Sequence, residues 1–219
     1  MVKSYTLRDK NFGFARGVNE LVKKVKTKYF FCIQPDVKIQ EQSILKLRKT
    51  IIKNKKKAAL IVPSINGGLS FNKKKQKKEV VVNDMIGAIF FADKKKFLEL
   101  GMFDEDFFFY WEDIEFSNRV KKSKFDIFLN REAKAIHNNS NSTISSVKIN
   151  FIRISNFMYG ELLYDYKIQK FRKLKILRKL IQNIFFLFFN TLIFRSKNII
   201  ENLANIFGVF KFIKYYLNK

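Results

Sequence analysis

A continuous apolar run near the start of the chain constrains the fold more than any other feature. The run Tyr29–Gln34 is closed by Pro35 and Asp36, which predicts a strand buried on both faces. A helical apolar pattern precedes it, and a second one separates it from another apolar run, Ala58–Val62. The order helix, strand, helix, strand is typical of an α/β fold with a mostly parallel sheet flanked by helices.

Asp36 should therefore lie just past the carboxyl end of its strand. In open α/β sheets that edge is where ligands bind. The alternative is a turn residue without a ligand, since aspartate is common in turns.

Two amphipathic patterns predict the helices on either side of the first strand. Their apolar stripes are Val18, Leu21, Val22 and Val25, in a helix ending near Lys26, and then Ile44, Leu47 and Ile51. Gly13 and Gly17 allow a close backbone approach at the start of the first helix, where free N–H groups favour phosphate. A tight loop is the alternative interpretation of these glycines.

The rest of the first 148 residues alternates short elements with polar connections. The predicted elements are a mobile loop 64–78, strands Glu79–Asn83 and Ile86–Ala92, a helical turn Lys94–Leu100, a helix Glu112–Lys122, and strands Phe125–Leu129 and Ala133–Ile136. We expect one domain over 1–148 and a separate helical region over 149–219.

An acidic stretch stands out in a basic chain. Six of the 19 acidic residues lie between Gly101 and Arg119, although the formal net charge is +25. The aromatic run Phe107–Trp111 should place the pair Glu112 and Asp113 in partly desolvated surroundings, which raise the proton affinity of a carboxylate. The positive end of the helix that begins there has the opposite effect and favours the ionised form. The pair is thus a candidate acid–base group, and simple helix capping is the alternative.

The 44 Lys and Arg residues indicate an anionic partner: nucleic acid, nucleotide phosphates or an anionic membrane face. No nucleic-acid-binding module is recognisable, so nucleic acid is the least favoured of the three. The single cysteine, Cys32, excludes a disulfide framework and indicates a reducing compartment.

The C-terminal region is basic and amphipathic. Residues 151–219 contain 13 Lys or Arg and 3 Asp or Glu, and their predicted apolar seam is Ile199, Leu203, Ile206, Phe210, Ile213 and Leu217. The apolar stretch Ile184–Phe194 is shorter than the ~20 residues that a spanning helix needs. We expect a tail that lies at an anionic membrane surface. The alternative is a helical hairpin packed on the core or on a second copy, as in a homodimer.

Five motifs in order along roughly residues 8–145 resemble the family 2 glycosyltransferases of the GT-A fold, especially the rhamnosyltransferase-like branch. They are Asn11-x-Gly13-Phe14-Ala15-x-Gly17-x-Asn19, Gln34-Pro35-Asp36, Gly87-Ala88, Gly101-x-Phe103-Asp104-Glu105-x-Phe107-Phe108-x-Tyr110-x-Glu112-Asp113-x-Glu115-x-x-x-Arg119, and His137.

The resemblance implies roles for particular residues. Asp36 would help to hold a divalent cation, Mn2+ or Mg2+, on the donor diphosphate, and His137 would complete that metal site. Asp113 would be the general base, with Glu112 beside it. From the residues alone, a lone histidine at a strand end is more often a hydrogen-bonded structural residue than a ligand. The implied substrate-binding residues are Asn11, Gly13, Asn19, Gly87, Trp111 and Arg119.

The resemblance also implies an activity: inverting transfer of a sugar, with rhamnose a candidate, from a nucleotide-diphospho-sugar to a cell-envelope glycan or lipid-linked acceptor. We expect such an enzyme in the cytoplasm, peripheral on the inner face of the cell membrane. Gln34 replaces the usual asparagine, and the chain begins after the family's first β-α-β unit, so we expect an N-terminally truncated GT-A-like fold. The alternative is an inactive relative that acts as a membrane-surface binding module.

Overall fold

The computed structural model describes residues 11–65, 77–137 and 146–219. The predicted loop 64–78 falls largely on residues outside this part of the chain. The helices and strands in chain order are α1 (Phe14–Lys24), β1 (Tyr29–Ile33), β2 (Val37–Ile39), α2 (Glu41–Lys53), β3 (Ala58–Ile65), β4 (Glu79–Val82), β5 (Ile89–Asp93), α3 (Lys94–Glu99), α4 (Glu112–Lys121), β6 (Asp126–His137), α5 (Val147–Lys167), α6 (Lys173–Leu192) and α7 (Ser196–Leu217).

The chain forms two compact units. The first unit consists of Met1–Glu105 and Glu112–Thr143 and contains the sheet. The second unit consists of Asp106–Trp111 and Ile144–Lys219, and its helices are α5, α6 and α7. The short aromatic segment before α4 therefore belongs to the helical unit.

The sheet is mixed, so the prediction of a mostly parallel sheet is wrong. Its strand order is β1-β5-β3-β6-β2, with β4 also paired to β6. Among the described strands, only β3 and β6 pair in parallel. The β1-α2-β3 crossover does give β1 and β3 the same direction, as the helix–strand alternation predicts. However, β5 lies between them and runs antiparallel to both.

Strand β6 is one continuous strand, where the sequence predicted two. It pairs with β3 on one side and with both β4 and β2 on the other. The register against β3 shifts between Pro63 and Ser64, which pair with Asn130 and Lys134. The Asn130 carboxamide oxygen accepts the N–H groups of Glu132 and Ala133 at 2.8 and 3.0 Å, so this side chain stabilises the bulge.

The core of the first unit is aromatic. Phe90, Phe97, Phe103 and Phe116 are fully buried, and the contacting pairs among them have ring centroids between 4.9 and 6.2 Å apart. Such tilted and edge-to-face pairs add to the stabilisation that burial itself provides. The side chains come from β5, α3, α4 and the loop before α4, so the cluster ties these elements together.

Two sequence predictions of burial are wrong. Strand β1 is at the sheet edge, paired only with β5, and is partly exposed rather than buried on both faces. Helix α1 buries Ala15, Asn19 and Val22, whereas Leu21 from the predicted stripe is 41% exposed. The helix is rotated because Asn19 turns inward, where its side-chain amide bonds to the backbone of Phe103.

The second unit is built on close contact between α5 and α7. Three residues of the predicted α7 seam, Leu203, Phe210 and Leu217, are exposed. Ala204, Gly208, Val209 and Phe212 are buried instead. A Cβ atom on Gly208 would overlap the carbonyl oxygen of Ser155, so the two helices approach as closely as glycine permits. No helix in the described part of the chain is long and apolar enough to cross a membrane.

The substitution Gly208→Ala should destabilise the second unit by about 2 to 4 kcal/mol, because a methyl group there collides with backbone. Trp111, the only tryptophan, lies in this unit and provides a fluorescence signal for its unfolding. We expect a lower midpoint of that transition in thermal denaturation.

The matched control is Gly17→Ala, also within a helix but with nothing within 4 Å of the added Cβ. This change should stabilise the first unit by up to about 1 kcal/mol, because alanine favours helix. Equal effects of the two substitutions would contradict the close contact.

Candidate active site

Asp113 lies in the first turn of α4, and backbone groups hold both of its carboxylate oxygens. The Gly87 N–H donates to Oδ2 at 2.8 Å and the Ile114 N–H donates to Oδ1 at 2.9 Å. A Cβ on Gly87 would lie 3.3 Å from the Asp113 Cβ and 3.3 Å from Phe14 Cε1. Only glycine therefore fits easily between α1 and α4, and this close approach brings the predicted residues Gly87 and Asp113 together.

Glu112 is almost fully buried, at 5% exposure, and its Oε2 atom has no hydrogen-bond partner. Burial, and secondarily the neighbouring Asp113 charge, raises the pKa of Glu112 to about 8. Burial also raises the pKa of Asp113, aided by Asp84 and opposed by the two backbone hydrogen bonds. The pair thus differs in environment: Glu112 has an unpartnered oxygen, whereas both Asp113 oxygens accept hydrogen bonds.

The backbone immediately before this pair is strained. Tyr110 and Trp111 have φ values of 71° and 73°, a region that non-glycine residues rarely adopt. Two consecutive residues of this kind persist only where surrounding packing fixes them, and such strain clusters at functional sites. The sequence did not indicate this feature, because neither residue is a glycine or an asparagine.

Asp36 and His137 form a second pair. The His137 Nε2 atom lies 3.3 Å from Asp36 Oδ2, and the two side chains are only 17% and 14% exposed. The pairing of β2 with β6 produces this contact, since Val37 lies opposite His137 in the register. Two residues 101 positions apart in sequence, both expected at a metal site, are therefore adjacent.

Strand β5 and the residues before it connect the two pairs. Ala88 follows Gly87, and its carbonyl accepts the Gln34 N–H at 2.8 Å. Ala88 also packs in one apolar cluster with Val37 and Ala135, which neighbour Asp36 and His137. Asp113, Gly87, Asp36 and His137 therefore belong to one continuous region of the first unit.

The Asp36 and His137 donors fit a divalent cation of mixed oxygen and nitrogen preference such as Mn2+. Among the described residues no group of three or more His, Cys, Asp or Glu side chains could hold a metal. A cation here would need further ligands from substrate phosphate or water, which is common for Mg2+ and related ions.

Two predicted substrate-binding residues have structural contacts instead. The Arg119 guanidinium bonds to the Glu115 carboxylate at 2.7 to 3.0 Å and to the carbonyls of Leu100 and Met102. Asn19 is 1% exposed, and its amide bonds to both backbone groups of Phe103. Both side chains hold the loop before α4, and these contacts give no support to substrate binding by either residue.

The three remaining predicted residues are Asn11, Gly13 and Trp111. The Asn11 side chain accepts the Gly13 N–H at 3.0 Å, and Gly13, at φ 87°, precedes α1. Phe14, the first residue of α1, reaches Gly87, so the start of this helix adjoins the Asp113 region. Trp111 belongs to the second unit, where it packs over Gly160 and its indole Nε1 atom has no partner.

Comparison with known proteins shows the fold. No protein-family model matches this chain, and no curated protein matches it. Among solved structures, the chain is similar to the crystal structure of GalNAc-T7 with UDP, GalNAc and Mn2+, with a TM-score of 0.55 and 15% identity. The match covers 71% of this chain but only 35% of that one. The chain is GT-A-like in fold. It spans about a third of the length of that glycosyltransferase, and at this identity the similarity shows architecture alone.

The pKa of Glu112 predicts a pH dependence of stability. Its folded pKa of about 8 lies above the ordinary glutamate pKa of 4.5, so the folded state binds one more proton than the unfolded state between these values. The contribution of Glu112 to the free energy of unfolding is therefore fully present below about pH 4.5 and is lost as the pH rises toward 8. The variant Glu112→Gln cannot titrate at this position. Its free energy of unfolding should therefore increase relative to that of wild type as the pH rises over this range, by on the order of 2 to 4 kcal/mol.

Thermal midpoints at pH 5, 6.5 and 8 measure this gain. The control Glu41→Gln changes an exposed carboxyl on α2 and should track wild type. A constant difference between Glu112→Gln and wild type at all three values would contradict the raised pKa.

Proposed function

We propose that this chain takes part in transfer of a sugar from a nucleotide-diphospho-sugar to an acceptor hydroxyl, with Asp113 as the general base. The observation that carries the proposal is the contact between Asp113 and Gly87 in a GT-A-like fold. Through Ala88, which follows Gly87, this contact is connected to the Asp36–His137 pair. The solved glycosyltransferase that this chain resembles contains UDP, a sugar and Mn2+.

The base role follows from how Asp113 is held. Two backbone N–H bonds fix the carboxylate plane, and each oxygen keeps a lone pair that can accept the proton of a bound hydroxyl. Glu112 next to it has a pKa of about 8, so at neutral pH it is mostly protonated and does not place a second negative charge beside Asp113. We assign the base to Asp113 because backbone donors orient both of its oxygens, whereas Glu112 Oε2 is buried without a partner.

Asp36 and His137 would hold the divalent cation, Mn2+ or Mg2+, together with the donor diphosphate. When bound, the cation supplies positive charge beside the diphosphate leaving group. The chain's own residues contribute a carboxylate and an imidazole fixed by the β2–β6 pairing, which orients both donors before substrate arrives.

We further propose inversion at the anomeric carbon, because one positioned base on the attacking side suffices for a single displacement. The resemblance to rhamnosyltransferase-like enzymes favours rhamnose as the sugar. For the acceptor we propose a cell-envelope glycan or lipid-linked glycan.

A second candidate function is a binding module without transfer activity. The observation that favours it is that, among the described residues, no group of three or more His, Cys, Asp or Glu side chains could hold a metal. Such a protein would bind the nucleotide and the acceptor but would not catalyse transfer, so it would be insensitive to loss of the base.

The substitution Asp113→Asn should lower the transfer rate by about 10² to 10⁴-fold, because the amide cannot take the hydroxyl proton. Nucleotide affinity should change less than about twofold, since the Asn oxygen still accepts the Gly87 N–H. Release of nucleoside diphosphate from a panel of nucleotide sugars measures the rate, and calorimetry measures the affinity.

Asp126→Asn, at the start of β6, is the matched control and should keep wild-type activity. Equal loss of transfer and of nucleotide binding in Asp113→Asn would remove the base assignment. Wild type that binds nucleotide and transfers no sugar from any donor tested would support the binding module.

The substitutions Asp36→Asn and His137→Ala should each weaken nucleoside diphosphate binding in the presence of Mn2+ by about 10 to 100-fold. Without Mn2+ the variants and wild type should bind equally, because the lost donors act only through the cation. Calorimetry with and without Mn2+ measures both constants. If Mn2+ increases nucleotide affinity in both variants as much as in wild type, these residues hold no cation.

A further inference from the structure

The outer face of α6 is apolar and exposed along its whole length. Its residues are Leu174, Leu177, Ile181, Ile184, Phe185, Phe188 and Leu192, each between 52% and 73% exposed. At 3.6 residues per turn they fall within one arc of about 100°. A continuous face of seven large apolar side chains marks an interaction site, unlike scattered surface residues.

The opposite side of α6 buries two amides beside Ile176 and Leu180, which pack against the apolar cluster of the second unit. The residues that α6 buries are Asn183 and Asn190. Both bond to Asn202 of α7, at 3.3 and 3.1 Å. A helix with amides inside and aliphatic and aromatic residues outside is adapted to apolar surroundings, where polar side chains join neighbouring helices.

The charges around this face have one sign. Residues 166–200 contain nine Lys or Arg and no Asp or Glu. Arg172, Lys173 and Arg178 are exposed near the start of α6, and Arg195 and Lys197 are exposed beyond its end. Cationic side chains thus flank the apolar face at both ends. This arrangement complements a surface with an apolar interior and anionic groups at its boundary with water.

We propose that the outer face of α6 docks onto an anionic lipid bilayer, with the helix lying in the plane of the membrane. The apolar side chains enter the boundary between headgroups and acyl chains, while the flanking cations contact lipid phosphates. Cations at both ends favour this in-plane position, since insertion of either end would bury charge.

A second copy of the chain fits this face less well. Pairing two α6 helices would bring their basic ends near one another in either direction, and neither helix offers an acidic partner. The docking proposal is independent of sugar transfer, because every residue in it lies in the second unit.

Sedimentation with vesicles tests the proposal. The full chain should bind vesicles of phosphatidylcholine with 30% phosphatidylglycerol, with at least tenfold stronger partition than to phosphatidylcholine alone, and added salt should weaken binding. The double variant Phe185→Gln/Phe188→Gln should lower partition at least tenfold. Lys173→Glu/Arg178→Glu should lower partition to the anionic vesicles alone.

The matched control is Leu45→Gln/Ile52→Gln, which changes two exposed apolar residues on α2 and should bind as wild type does. Trp111 fluorescence verifies that each variant stays folded. Three results would overturn the proposal: no vesicle binding by wild type, equal loss in the α2 control, or a dimer in light scattering that only the α6 phenylalanine variant dissociates.

Discussion

The pairing of strand β6 with three other strands is the constraint on which the first unit depends. One side of β6 meets β3, and the other meets β4 near its start and β2 near its end. A strand that pairs with different partners along its length must bend, and β6 bends at the bulge near Asn130. The Asn130 side-chain oxygen accepts the two backbone N–H groups that the bulge leaves unpaired. The end of β6 then places His137 beside Asp36.

The carboxyl pair on α4 depends on a different constraint, the absence of a side chain at Gly87. The aromatic core fixes α4 through Phe116. The Gly87 N–H can then reach Asp113. Glu112 is left in a desolvated position, so local packing makes two neighbouring carboxyls chemically different.

Local sequence patterns predicted most helices and strands because those patterns depend on neighbours along the chain. The helix Glu112–Lys122 differs from α4 by one residue, and Asp36 lies just past the end of β1, as predicted. Strand direction was not predictable, since β5 inserts between β1 and β3 through contacts distant in sequence. The contacts of Asn19 and Arg119 were not predictable for the same reason: their partners, the backbone groups of residues 100–103, form no sequence pattern.

The three amides between α6 and α7 have a consequence for motion in the second unit. Two helices with a purely apolar interface can shift along one another at a small cost in free energy, because one methyl group takes the place of another in the groove between the helices. Here a slide of one turn, about 5.4 Å, would separate Asn202 from both of its partners at once. These amides therefore fix a single discrete alignment of α6 against α7.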